Sequence, residues 1–547
     1  MVASTWHVFG HIWDEPEHIA AGMALLDRDQ YPYDNQHPPL ARLAAAIGPY
    51  LAGARLPANA YVDSNGSGVE AGRQLLYHSH LSYDSVLGLA RLGMLPFLFV
   101  LVCALWKWAR CFHGLPSAWV ASGFLLSTPA LLGHAGVVAL DVPVTAMCIL
   151  SFYLFIRWLQ DPSLWRGAVL GLAAGLAIST KLSALPFIGC ATLALSLAHV
   201  LCTPRDILRT PLPTRAMTIV GSGLLALLIV LLTVVALYGP RLIYLTTPDF
   251  ATNRALDSLA GQSGWLHDMA YRIAAQVRVP LGVQEVPLNI LGVEWHNAHG
   301  HQAFLLGQTD LMGWWYFYLV ALAVKTPLPL LTIGLGGLSF LGVRGWREHS
   351  MPLLAAPLCF VSILLFCCLY SHINIGVRHV LVLYPLLAIG AAAASVTLWE
   401  RFRTGPVRWG LYALLAWQAV TMITAYPDYL AYFNVLAGDH PERILVDSDL
   451  DWGQDLRRLS LELARRKVPS VRIAYLGTAD LTREHLPPFK MLEPGEHATG
   501  WIAIDMLSMK KERDGYAWLA GAQPVQRVGK SIDLYFIASS ASISSSR

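Results

Sequence analysis

Charge is scarce in this chain. Of its 547 residues, 14% are Asp, Glu, Lys or Arg and 55% are hydrophobic. A soluble globular domain carries roughly 25% charged residues, so lipid must solvate a large part of this one. The net charge of +3 is small and spread along the chain, which excludes the basic patch of a nucleic-acid-binding protein. Cysteine offers little scaffolding either. The eight cysteines, Cys103, Cys111, Cys148, Cys190, Cys202, Cys359, Cys367 and Cys368, all lie in or beside apolar runs, and no CxxC pair occurs. Adjacent Cys367 and Cys368 are poorly placed to bond each other, so the thiols read as small buried hydrophobes. Met1 to Gly10 is neither long nor apolar enough to span a bilayer or to act as a signal peptide.

Long apolar runs are what the chain has instead. Runs of bilayer-crossing length fall near 86–106, 116–133, 138–156, 167–180, 183–202, 216–238, 314–341, 352–370, 377–398 and 409–425. They predict a mainly α, polytopic membrane helical bundle. Residues 1–85 form a first loop, 86–425 a transmembrane domain of about ten helices with a large polar loop at 239–313, and 426–547 a small soluble α/β domain. Eighteen tryptophans and 21 tyrosines suit such a protein, because these rings collect at membrane interfaces.

Basic residues set the orientation. Lys107 and Arg110, Arg157 and Arg166, Arg205, Arg209 and Arg215, Arg344 and Arg347, and Arg401, Arg403 and Arg408 occupy every second connection. By the positive-inside rule these connections are cytoplasmic. The first loop, the 239–313 loop and the C-terminal domain then share the outer face. Within the first loop, 39–56 predicts an amphipathic helix on the membrane surface, and Asn59 to Ser82 predicts a loop. In the C-terminal domain, Asp455 to Lys467 has helical spacing. Residues 471–476, 500–506 and 532–537 read as strands, and the Ser-rich end as frayed.

The outer face gathers the ionisable groups. Asp14, Glu15, Glu17, His18 and His37 precede the first span, and Asp141, Lys181, Lys325, Arg378 and His379 lie at span ends. Ionisable groups are expensive at a membrane, which makes such a gathering a candidate site. Carboxylates beside cations suit an anionic ligand, with a carboxylate left to remove a proton. Plainer readings stand beside this one. Asp14, Glu15 and Asp141 also read as helix caps, and Lys181, Lys325 and Arg378 as snorkelling anchors. His296, His299 and His301 have a metal-like spacing, but no clear carboxylate or cysteine accompanies them.

Several strings have a familiar order. Asp14-Glu15-Pro16-x-His18-Ile19-Ala20-Ala21-Gly22 and Asn35-x-His37-Pro38-Pro39-Leu40 come first, then Leu140-Asp141-Val142-Pro143 and Gly175 to Ser183. Next are Gly300-His301 to Gly307, Gly313-Trp314-Trp315-Tyr316 running to Lys325-Thr326-Pro327-Leu328, and Asn374-x-Gly376-x-Arg378-His379. Tyr429 to Asn434 and Asp447 to Leu456 close the series. Over about residues 12 to 460 the chain resembles phospholipid carrier-dependent glycosyltransferases. That superfamily includes the protein O-mannosyltransferases and the aminoarabinose transferase of lipid A.

The resemblance implies a C-type glycosyltransferase fold, with no nucleic-acid partner. It implies a hexosyl or pentosyl transfer from a polyprenyl-phosphate-linked sugar donor to a protein, lipid or glycan acceptor hydroxyl, with inversion. It places the site on the periplasmic face of a bacterial inner membrane. Carried over by position, Asp14 is the base, Glu15 positions it or helps hold a divalent cation (Mg or Mn), and Asp141 is the second acidic residue. Lys181, Lys325 and Arg378 are the phosphate ligands, with His37, His301 and His379 also in contact with substrate. Family members have a transmembrane helix before the Asp-Glu motif. The expectation here is a start site set too late or a truncation, and a real loss would leave the opening loop untethered at one end. Other functions weighed are a transporter or flippase for a lipid-linked or small polar solute, and a non-catalytic envelope scaffold. A transporter predicts charges at mid-membrane and internal repeats; neither is seen.

Overall fold

The computed structural model describes residues 1–31, 36–57, 68–202, 212–239, 241–244, 257, 261 and 264–538. Asn35, Arg205, Arg209, most of 245–263 and the Ser-rich end lie outside the described residues. Among the described residues, seven helices are long and apolar enough to cross a membrane, or eight if the bent pair Leu115–Leu126 and Pro129–Ala135 is one span. That pair turns by 69° where Pro129 opens the second helix. Two of the ten expected spans fall short of this standard: Leu164–Ile178 has 15 residues, and Pro406–Thr424 is not among the seven. The expected 314–341 span is divided. Phe317–Lys325 ends at Thr326, and Leu328–Arg347 starts after Pro327, whose ring removes a backbone donor at the break.

Leu383–Arg401 is the centre of the bundle, since 72% of its most apolar stretch is buried. It packs closely on Leu328–Arg347, where a Cβ on Gly337 would sit 1.8 Å from the carbonyl oxygen of Gly390. Only glycine permits that approach. Between helices in lipid, small residues take the place that hydrophobic driving force holds in water. Gly167, Gly171 and Gly175 do the same for Leu164–Ile178, meeting Ser222, Ala226 and Thr233 of the Ala216–Tyr238 helix.

The first loop is more ordered than its polar sequence suggests. Glu15–Arg28 is buried along most of its length. Leu40–Leu51, expected to lie on the membrane surface, also packs against it, with Arg42 fully buried. The stretch expected as a loop at 59–82 contains the helix Gly68–His78, while residues 58–67 lie outside the described residues. Its buried residues, Gly68, Ala71, Gly72, Leu75 and Leu76, fall at i, i+3, i+4, i+7 and i+8, which is an apolar helical stripe. The C-terminal domain carries a five-stranded sheet ordered Phe489–Met491, Val471–Ala474, Gly500–Asp505, Ile532–Ile537, Gln526–Val528. The first three strands run parallel and the last two pair antiparallel. Leu456, Leu459 and Leu463 of the Leu456–Arg465 helix pack on one face of the sheet.

An opening loop free at one end is not what the structure shows. The Gly10 amide donates to the Gln454 carbonyl at 3.0 Å, and the Trp13 amide to the Trp452 carbonyl at 2.9 Å. The Thr478 hydroxyl donates to the Trp13 carbonyl at 2.9 Å. Glu15 is the strongest tie. Its Oε1 accepts from Arg91 Nε and the Val138 amide, both at 2.8 Å. Its Oε2 accepts from Arg91 at 2.8 Å and from the Ile12 amide at 2.9 Å. Arg91 also donates to the Gly10 carbonyl at 2.8 Å. Burial pushes the Glu15 carboxyl up, but Arg91 and the two amides outweigh it and hold the group below its usual range. Because the folded-state pKa is depressed, this stabilisation is present above about pH 4.3, the unfolded value. It is lost as the pH falls through the folded value. Glu15→Ala leaves Arg91 buried without its counter-ion and should cost about 3–5 kcal/mol. Thermal unfolding in detergent measures this, and Glu15→Leu with Arg91→Met should recover only part of the loss, because the Ile12 and Val138 amides and the Gly10 carbonyl are left without these partners.

Candidate active site

A cavity of about 510 Å³ opens where one set of helix ends meets the first loop. That is within the usual range for small-molecule sites. Its charged wall is built from element ends. Asp14 and Glu17 come from the start of Glu15–Arg28, and Asp141 begins Asp141–Gln160. Lys181 follows Leu164–Ile178, and Arg378 and His379 sit on the short turn Val377–Val380 before Leu383–Arg401. Arg157 and Arg401 lie in the last turns of two of these same helices, at the opposite end.

Two ion pairs occupy this wall. Arg378 donates to Asp14 Oδ2 at 2.7 Å, and Lys181 donates to Asp141 Oδ1 at 2.7 Å. Arg378 also lies 4.0 Å from Asp141 Oδ2, so the four groups form one chain of alternating charge. Asp14 precedes the helix but makes no side-chain cap bond. The cap and anchor readings of Asp14, Asp141, Lys181 and Arg378 therefore give way to pairing across the cavity wall. Asp141 Oδ2 and Arg378 Nε are buried without hydrogen-bond partners, capacity that a polar ligand would take up.

Arg378 is aimed by the C-terminal domain. Its guanidinium lies 4.2 Å from the centre of the Trp452 ring, a cation–π contact. The Val377 amide donates to Asp449 Oδ1 at 3.1 Å and to Oδ2 at 3.3 Å, fixing the turn that carries Arg378. Burial pushes Asp449 up to about 6, against the pull of Lys325.

Of the nine residues singled out in the sequence, Asp14, Asp141, His37, Lys181, Arg378 and His379 line the cavity. The other three stand elsewhere. Glu15 faces Arg91 and backbone amides. Lys325, fully buried, donates to the Leu430 carbonyl at 2.8 Å and to the Asp449 carbonyl, and lies 4.2 Å from the Phe433 ring centre. It ties the Leu430 and Asp449 segments together and is not among the residues lining the cavity. His301 stands behind His296, with Nδ1 3.3 Å from His296 Nε2.

The profile of the family described as dolichyl-phosphate-mannose-protein mannosyltransferase matches residues 32–244. No curated protein sequence matches the chain. Among solved structures, ArnT from Cupriavidus metallidurans bound to undecaprenyl phosphate is similar at 13% identity and TM-score 0.46, over 98% of this chain and 96% of that one. The oligosaccharyltransferase of Archaeoglobus fulgidus tethered with an acceptor peptide is similar at 12% identity and TM-score 0.45, over 87% of this chain and 60% of that one. The matched stretch contains His37, Asp141 and Lys181. Asp14 precedes it, and Arg378 and His379 follow it.

The Glu15 carboxylate does not fit a divalent cation, because both of its oxygens already accept two hydrogen bonds and Arg91 faces them. Among the described residues, no group of three or more His, Cys, Asp or Glu side chains could hold a metal ion. Sequence reasoning missed Tyr318, Tyr370, Gln36 and Asn297, which also line the cavity. For Asn297 one signal is a helical stripe in Leu281–His299, where Ile290, Val293, Glu294 and Asn297 at i, i+3, i+4 and i+7 all line the cavity.

Lys181→Met leaves Asp141 buried without its cation and should destabilise the protein by about 3–5 kcal/mol. Adding Asp141→Asn should restore most of this. A thermal-unfolding double-mutant cycle measures the coupling, and additive losses would show that the pair is not coupled.

Proposed function

We propose that the protein is a membrane glycosyltransferase that moves a sugar from a polyprenyl-phosphate carrier to an acceptor hydroxyl, with inversion. The reaction takes place on the periplasmic face of a bacterial inner membrane. The observation that carries this is the composition of one cavity. Two carboxylate–cation pairs line its polar end, and Val144, Leu185, Phe187, Val293 and Phe366 line the rest. An amphiphile with an anionic head and an apolar tail matches that division. The family match and the alternation of basic residues along the chain support the same reading.

The chemistry follows from an exchange of partners. The phosphate of the donor takes Arg378 and Lys181 as its ligands, which draws Arg378 away from Asp14. The released Asp14 carboxylate accepts the proton of the acceptor hydroxyl. The hydroxyl oxygen attacks the anomeric carbon from the face opposite the phosphate. The carbon–oxygen bond to phosphate breaks, and its electron pair leaves with the carrier phosphate, whose charge the two cations hold. Glu15 contributes by fixing the backbone on which Asp14 sits.

General-base catalysis is worth about 10²–10⁴-fold, so Asp14→Asn should lower transfer from a labelled polyprenyl-phosphate sugar by at least about 100-fold. Purified protein in vesicles, with thermal unfolding as a check on folding, is the assay. Full activity in a folded variant rules out Asp14 as the base. Movement of label across the bilayer without transfer would replace the enzyme by a flippase.

A further inference from the structure

The polar stretch 239–313 holds a helix that does not line the cavity, Trp265–Ala274. At 3.6 residues per turn, Trp265, Met269, Ile273 and Leu266 fall within an arc of roughly 100°. All four are exposed, at 72%, 45%, 53% and 49%. The opposite side faces protein. His267 Nε2 lies 3.2 Å from Asp257 Oδ1, the Tyr271 hydroxyl donates to the same oxygen at 2.8 Å, and Ala274 is buried. Asp268 and Arg272 lie along one edge between the two faces. A helix of a globular domain turns its apolar arc inward and its polar arc to water. This one does the reverse, and apolar side chains gathered on one exposed side mark an interaction surface.

The place of the helix in the chain says what covers that arc. After Ala274 the chain pairs Arg278, Val279 and Pro280 with Tyr244, Ile243 and Leu242 in an antiparallel ladder. The Leu281 amide then donates to the Arg241 carbonyl at 2.9 Å, and Gly282 closes on Tyr238, the last residue of the Ala216–Tyr238 helix. That helix is long and apolar enough to cross a membrane, and only 17% of its most apolar stretch is buried, so lipid surrounds it. The amphipathic helix is therefore tied, within a few residues of its end, to the point where a membrane helix leaves the bilayer. Leu242, Tyr244 and Val277, in the connection, are exposed as well.

A second copy of the chain is a poor fit to this surface. A helix of ten residues is about 15 Å long and about 10 Å wide with its side chains, a footprint of roughly 150 Å² against the ~800 Å² per partner of a stable protein interface. A lipid surface sets no such minimum, and an apolar arc containing Trp with charges along its edge suits a helix lying in a bilayer interface.

We infer that Trp265–Ala274 lies in the headgroup layer of the leaflet at the cavity end of the bundle, with Trp265, Leu266, Met269 and Ile273 inserted among the phospholipid acyl chains. Leu281–His299, which follows it and lines the cavity with Ile290 and Val293, is then held to the bilayer surface at its start. This docking does not depend on the reaction that the cavity performs.

The test places an environment-sensitive fluorescent amino acid at single positions of the full chain, one protein per nanodisc, with phospholipid brominated near the top of its acyl chains as the quencher. Probes at Leu266, Met269 and Ile273 should lose at least about twice as much fluorescence as probes at Asp268 and Arg272. With the probe at Leu266, Met269→Asp together with Ile273→Asp should bring the loss down to that of the polar positions, because a charge among acyl chains is costly. All of these positions are exposed, so thermal unfolding should stay unchanged and separates a docking defect from misfolding. Equal quenching at the apolar and polar positions overturns the docking, and so does quenching that survives the two aspartates. A blue-shifted probe at Met269 that bromolipid fails to quench shows the arc covered by protein, and overturns it as well.

Discussion

Glu15 and Arg91 are 76 residues apart in the chain and meet with almost no exposure to solvent. Around that one contact the first loop, the first span and the Val137–Val138 connection are brought to a common point. An unpaired charge there would be costly. The pair is tolerable because its remaining hydrogen-bonding capacity goes to backbone groups of Gly10, Ile12 and Val138. Asp14 is the next residue in the chain, so its position is inherited from this joint. Lys325 and Asp449 form a comparable joint on the other side, setting the turn that presents Arg378.

Between these two rigid joints lies a set of charges that is not rigid in the same sense. Asp14 and Arg378 keep 23% and 10% of their side-chain surface exposed, whereas Glu15 and Arg91 have 0% and 1%. The Asp14–Arg378 pair can therefore trade partners with a ligand at less cost than the Glu15–Arg91 pair behind it. In the proposed reaction the ligand-free protein is neutralised internally by the same cations that later hold phosphate. The desolvation of those charges is then met by the protein fold before the carrier arrives.

The bundle was legible in the sequence because lipid imposes a simple demand, long apolar runs with charges at their ends. The C-terminal strands were legible from their alternation, and Asp14, Asp141, Lys181 and Arg378 from their shared membrane face. The Gly68–His78 helix was not, since its stripe is made of Gly, Ala and Leu and its other face is dominated by Glu70, Arg73, Gln74 and His78. Glu15 and Lys325 were misjudged for a different reason. Charged residues that tie elements together and charged residues that face a ligand look alike in one dimension, and only their partners distinguish them. Tyr370 and Asn297 sat within stretches read as a span end and an ordinary loop, where nothing local marked their direction.

Trp452 has a consequence for how this protein can be taken apart. It sits at the edge of the C-terminal domain, yet its ring lies against the guanidinium of Arg378 and its carbonyl accepts from Trp13. The membrane bundle therefore does not contain a complete site of its own. A chimera that joined this bundle to a related C-terminal domain at the chain's apparent seam, near residue 426, would exchange part of the wall behind the cation together with the domain. The contacts behind the site run through the Asp447 to Leu456 segment and on to Thr478, well beyond the last membrane helix, and transplantation between relatives has to respect them.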